Sequence, residues 1–286
     1  MCPAIAVGHF QQLPLGFTTA GTEVSVYWLD QLGTIDDTAD TAGPYEVQLD
    51  TLDEAIAGTQ NLVSVFDRYE SVYGAYTFGD HVASVSADWG ASAYGGMEHH
   101  PYWHVSQGGL SNEEIHAHEA AHGWYGDGIR IDCWEDFVLS EGTATYLSVR
   151  ALELAGGPNL WADEYGAYFE ARCADPTSFA NNVAAYPQTC NAIDILNDPL
   201  WSFIPYAKGT CFYEDVADLI GDDVLDGVLA DFYAAHVGSA AHMQDMIDAI
   251  KVAAPANSVE IDQLATDWLF NTACPVDAAA RCSSHN

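Results

Sequence analysis

His118-Glu119-Ala120-Ala121-His122 is an H-E-x-x-H pentapeptide, and Glu141 follows its second histidine after eighteen intervening residues. On a helix, positions 118 and 122 are i and i+4, so both imidazoles leave one face about one turn apart and can share one tetrahedral zinc. Glu119 is rotated about 100° from the first histidine, too far to chelate but near enough to take a proton from water at the metal. Ser111 with Glu114 reads as a capping box that starts this helix at Asn112 and lets it run to about Tyr125. A second helix is expected over residues 135–155, closed by Gly156-Gly157-Pro158, with Glu141 near its start. A glutamate in a first helical turn is ordinarily a solvated one favoured by the helix dipole. Its spacing and flanking residues here favour a third ligand, with the fourth position left open for catalysis. That requirement constrains the fold strongly, because the two helices must lie side by side and antiparallel.

Around this pair the chain reads as strands first and helices later. Ala4–Val7 and Val24–Trp28 have strand character, Gly33 to Pro44 is a polar connecting loop, and Leu52 to Tyr73 carries apolar residues at helical spacing. A strand follows over His81–Ala87. Beyond Tyr206, helices are expected at 209–220, 223–236, 241–252 and 261–271. This order argues for an α+β fold, mostly helical with a small mixed β-sheet, and against a wound parallel sheet.

Charge narrows the partners. Lys plus Arg number 7 against 42 Asp plus Glu, a net charge of −35. Such a surface repels phosphate backbones and anionic headgroups, so neither nucleic acid nor membrane is an expected partner. No apolar run has the length of a membrane span. The acidity fits a salt-adapted organism as well as an ordinary acidic secreted protein. Seven cysteines without CxxC pairs point to disulfides and export to a secreted or periplasmic location. Cys173 with Cys190 and Cys274 with Cys282 close short loops and are the expected bridges. The odd count leaves at least one cysteine without a partner in the chain.

Further motifs carry a family resemblance. The zinc block continues as Trp134-x-Asp136-x-x-Leu139-x-Glu141-Gly142-x-Ala144-x-Tyr146. Tyr94-Gly95-Gly96-Met97-Glu98-His99 stands about twenty residues before His118, and Pro205-Tyr206-Ala207-Lys208-Gly209 follows Glu141. Together these resemble the M1 (gluzincin) zinc aminopeptidases, with their G-A-M-E-N and P-Y-x-K-G blocks, over roughly residues 51–275. The resemblance implies a thermolysin-like catalytic domain over residues 31–286, with residues 1–30 as the last strands of an N-terminal β domain covalently continuous with it. It also places the sheet at the active-site edge. It implies one Zn2+ per chain on His118, His122 and Glu141, with Glu119 as general base and Tyr206 donating to the oxyanion. Gly95, Gly96 and Met97 would contact substrate backbone, and Glu98 would bind the free α-ammonium of a peptide.

The expected function is therefore zinc-dependent removal of N-terminal residues from peptides. A thermolysin-like endopeptidase, a catalytically silent M1-like binding module, and a different hydrolase on the same scaffold are the alternatives. Gly96 in place of the motif's alanine and His99 in place of its asparagine depart from the family pattern at the amine pocket. His99, His100 and His104 read as polar residues beside the cleft, not as a second metal site. His116 points to another helix face from the two ligands.

Overall fold

Thr51 and Glu54 cap each other's backbone amides, and the first helix, α1 (Leu52–Thr59), starts there. The computed structural model describes residues 4–30, 34–35, 45–46, 50–87, 95–175, 178 and 181–283. The single helix expected over 52–73 is two, α1 and α2 (Leu62–Tyr73). At the break, the side-chain amides of Gln60 and Asn61 both donate to Glu113. Apolar periodicity alone does not register such long-range side-chain hydrogen bonds.

The strands are β1 (Phe10–Phe17), β2 (Glu23–Leu29), β3 (Thr34–Ile35), β4 (Tyr45–Glu46), β5 (His81–Ala87), β6 (Gly96–Met97) and β7 (Tyr102–Ser106). Five form a mixed sheet in the order β1-β2-β5-β7-β6, with β2, β5 and β7 parallel and the two outer strands antiparallel. The short pair β3–β4 stands apart, inside the stretch expected as a loop, whose other residues lie outside the described ones. Residues 4–7, expected as a strand, have no strand pairing among the described residues, where the first strand begins at Phe10. The boundary expected at residue 30 coincides with no break in the sheet, since β2 pairs directly with β5, Val24 opposite Val82.

Helices α3 (Glu113–Ala121), α4 (Phe137–Ala155), α5 (Ala167–Arg172), α6 (Ile204–Ile220), α7 (Asp222–His236), α8 (Met243–Ala253) and α9 (Ser258–Ala265) follow, giving the α+β class its helical majority. Aromatic side chains fill the space between sheet and helices. Phe66 and Tyr69 of α2 pack edge-on against Trp124, and Phe66 stacks on Trp103 of β7, all fully buried. Among the described residues, no helix is long and apolar enough to cross a membrane.

Six cysteines form three bridges, Cys133–Cys190, Cys173–Cys274 and Cys211–Cys282, with Cα separations of 5.5, 5.7 and 5.1 Å. The two expected pairs are thus exchanged for long-range ones. Nearness in sequence is a poor guide here, because Cys211 lies inside α6 and meets the chain only where its C-terminal segment returns. Cys2 lies outside the described residues.

Candidate active site

Helix α3 starts at Asn112, whose side chain accepts from the Glu114 amide; the Ser111–Glu114 capping box is absent, and Glu114 turns its side chain elsewhere. The helix ends at Ala121, so His122 is its C-cap residue, still in right-handed helical conformation and still one turn from His118. Helix α4 crosses beside it and brings in Glu141. The three ligating atoms converge: His118 Nε2 lies 3.1 Å and His122 Nε2 3.4 Å from Glu141 Oε2, and the two nitrogens are 3.0 Å apart. Ligands at about 2.0–2.1 Å from a tetrahedral zinc stand about 3.3 Å from one another.

The hydrogen bonds behind the rings set their tautomers. His122 Nδ1 donates to the Tyr125 carbonyl at 2.8 Å. Thr145 Oγ1 donates to the Glu141 carbonyl and accepts from His118 Nδ1 at 3.2 Å. Each ring therefore points an Nε2 lone pair at the same spot. Two lone pairs and a carboxylate oxygen face one another across about 3 Å, an arrangement that repels itself unless a cation lies between. Zinc is the cation this donor set suits, with two neutral imidazoles and one carboxylate.

Glu119 is 5% exposed, and its Oε2 has no hydrogen-bond partner among the described residues. Burial pushes its carboxyl well above the usual range; His122 opposes the shift, while Glu98 and Glu141 add to it. Glu119 occupies space left by Gly96 of the edge strand β6, where a Cβ would stand 2.2 Å from Glu119 Oε1. Position 96 thus leaves room for this carboxylate.

Glu98 follows β6 and lies in the same cleft, with a carboxylate oxygen within 4.8 Å of ligating atoms of Glu119 and His122. Tyr94 lies outside the described residues. Tyr206, expected on a loop, is in the first turn of α6, because Pro205 opens the helix earlier than the apolar pattern suggests. Its ring stacks on His118 with centroids 5.6 Å apart. Burial raises its hydroxyl pKa, and Glu141, Glu119 and Glu98 raise it further, so the phenol keeps its proton. Gly142 and Gly209 allow this approach of α4 and α6, since a Cβ on Gly209 would be 2.5 Å from the Gly142 Cα. Lys208 is fully buried and donates to the carbonyls of Asn182, Asn271 and Ala273, holding the chain behind α6; burial lowers its pKa to about 8.

His116 is buried between Ser84 and the Leu110 carbonyl, away from the ligands. His100 accepts from the Tyr76 hydroxyl and donates to the backbone carbonyl of Glu119 at 2.9 Å, so it braces the zinc helix from behind. Nothing in its sequence neighbourhood signals this role. Burial lowers its pKa to about 3. Below pH 6.5 the unfolded chain takes up a proton at this histidine that the folded chain refuses, so the contribution to stability falls with pH. The stability gap between wild type and His100→Gln is expected to narrow by about 2 kcal/mol from pH 7 to pH 5, as measured by urea unfolding. A constant gap would mean that His100 is charged when folded.

The cleft around these groups has a volume of ≈ 540 Å³. Trp134, Phe137, Trp201, Phe203 and Tyr165 supply an aromatic wall, and Glu114 and Glu164 add two carboxylates that the sequence patterns do not flag.

Paired helical histidines, a glutamate from the next helix and a free buried carboxylate beside a sheet edge define a zinc metallopeptidase domain. The chain belongs to peptidase family M1: residues 99–268 match the peptidase family M1 domain. It is 24% identical over 221 residues to human endoplasmic reticulum aminopeptidase 2, covering 73% of this chain and 20% of that protein. Against aminopeptidase N of Lactobacillus delbrueckii subsp. lactis it is 32% identical over 165 residues, 56% of this chain and 18% of the relative. The fold is similar to that of the M1 zinc metallopeptidase from Deinococcus radiodurans, with a TM-score of 0.63 at 15% identity over 94% of this chain and 54% of that one. The chain thus spans about a fifth of the length of these aminopeptidases.

Proposed function

We propose that the chain is the catalytic domain of a zinc aminopeptidase, releasing N-terminal residues from peptides. The position of Glu98 carries the reading. Its carboxylate stands beside Glu119 and His122, where it can hold an α-ammonium one residue's reach from the metal. Bound at His118, His122 and Glu141, zinc supplies Lewis acidity that activates water and polarises the scissile carbonyl.

The remaining work falls to the chain. Gly95, Gly96 and Met97 offer the substrate backbone a strand edge. Glu119 takes a proton as water adds to the carbonyl carbon, then gives it to the departing nitrogen as the C–N bond breaks. Tyr206 donates its hydroxyl hydrogen to the oxyanion. An N-terminal β domain continuous with this one in the full protein belongs to the same reading, and the relatives' greater length leaves room for it. Three disulfides support a secreted or periplasmic location, and the net charge of −35 fits a salt-adapted source.

Paired peptides, one with a free N-terminus and one acetylated, test the reading. Chelator-sensitive release of single residues from the free peptide alone is expected. Internal cleavage of both would replace the reading with an endopeptidase, and stoichiometric zinc without cleavage of either would replace it with a binding module.

A further inference from the structure

Three carboxylates of the cleft have work in the proposed reaction: Glu141 at the metal, Glu119 for the proton and Glu98 for the ammonium. Glu114 and Glu164 line the same cleft and have none, and among the described residues no lysine or arginine lines it. Glu114 lies four residues before His118 on α3, hence on the same face, about 6 Å along the axis. It accepts a hydrogen bond from the buried hydroxyl of Tyr165. The Tyr165 ring stacks on Phe203, Phe203 on Tyr206, and Tyr206 on His118, so a continuous aromatic wall leads from the zinc ligand to the partner of Glu114. Glu119, whose buried Oε2 has no hydrogen-bond partner among the described residues, lines the same cleft.

The edge strand gives this arrangement a direction. Glu98 lies beyond its C-terminal end, and Gly95 precedes its N-terminal end beside Ile115, whose Cδ1 would be 3.0 Å from a Cβ on Gly95. With the α-ammonium at Glu98, substrate residues beyond the scissile bond run toward Gly95, Ile115 and Glu114.

We propose that Glu114, with Glu164 at the mouth, forms the subsite for the second residue of the peptide and selects lysine or arginine there. The inference rests on the aminopeptidase reading. The aliphatic stem of such a residue packs along Phe203 and Tyr165 while its cation meets Glu114.

The test compares kcat/KM, at pH 8 and fixed ionic strength, for zinc-loaded protein on peptides beginning Ala-Ala, Ala-Lys, Ala-Glu and Ala-Ala-Lys. We expect Ala-Lys to exceed Ala-Ala about tenfold and Ala-Glu by more, and Ala-Ala-Lys to gain little. Glu114→Gln should bring the Ala-Lys to Ala-Ala ratio close to one. Glu164→Gln, at an exposed position, should lower that ratio by a smaller factor and keeps the test decisive if the Glu114 variant does not fold. Equal rates for Ala-Lys and Ala-Ala in the wild type, or equal gain from a third-position lysine, would overturn the subsite while leaving the aminopeptidase intact. Failure to release alanine from any of these peptides would instead overturn the reading beneath it.

Discussion

Glu119→Gln is expected to lower kcat about a thousandfold or more, with KM and zinc content close to those of the wild type. Glutamine keeps the shape that fits over Gly96 but cannot take a proton, and a positioned acid–base group typically contributes about 10²–10⁴. Glu119 is suited to that role by its surroundings. Its Oε2 is buried without a partner among the described residues, and burial raises its proton affinity. Glu98, the nearest rival, is assigned to a positive charge on the substrate, so Glu98→Gln should raise KM for free peptides more than it lowers kcat. Steady-state kinetics on one free peptide, alongside zinc analysis of each variant, separate the two. A Glu119→Gln protein within tenfold of wild-type kcat at full zinc content would move the base elsewhere.

The legible part of the site is the part that local geometry dictates. Two histidines four apart on a helix must share a face whatever surrounds them, so His118 and His122 meet as the spacing requires. The Gly156 cap ends α4 where its sequence says it should, in the left-handed conformation. What escapes is decided by tertiary approach. The glycines in Glu141-Gly142 and Lys208-Gly209 read as motif letters, and only the structure shows that they are the crossing point of α4 and α6.

Glu114 illustrates a different failure. Its spacing from Ser111 fits a capping box, yet Asn112 captures the cap, and the glutamate side chain goes to Tyr165 in the cleft. The disulfides fail for a related reason, since cysteines 57 to 101 residues apart find each other only through the packing of intervening helices. Residues 24–28 carry strand character in sequence, but their place in the five-stranded sheet depends on a parallel pairing of β2 with β5 that no local pattern reveals.

Glu141→Gln is expected to release most of the zinc on dialysis and to abolish activity in proportion, with partial recovery in excess zinc. The argument is one of charge and competition. Two neutral imidazoles and one carboxylate give the cation a single compensating charge from its ligands, and an amide removes it from a site whose carboxylate is only 7% exposed. Loss of a ligand that binds only the folded state also lowers stability. At zinc about 1,000-fold above its dissociation constant, the forfeited term is about 4 kcal/mol, visible as a lower thermal midpoint. The structure contains a rival triad, Glu98, Glu119 and His122, whose ligating atoms also lie within 4.8 Å of one another. If that triad held the metal, Glu98→Gln and Glu119→Gln would lose zinc and Glu141→Gln would keep it. The fixed Nε2 lone pairs of both histidines favour the opposite result, because only the site at Glu141 uses the two together. Zinc content across the three variants therefore distinguishes a ligand from a base and from an ammonium anchor before any substrate is added.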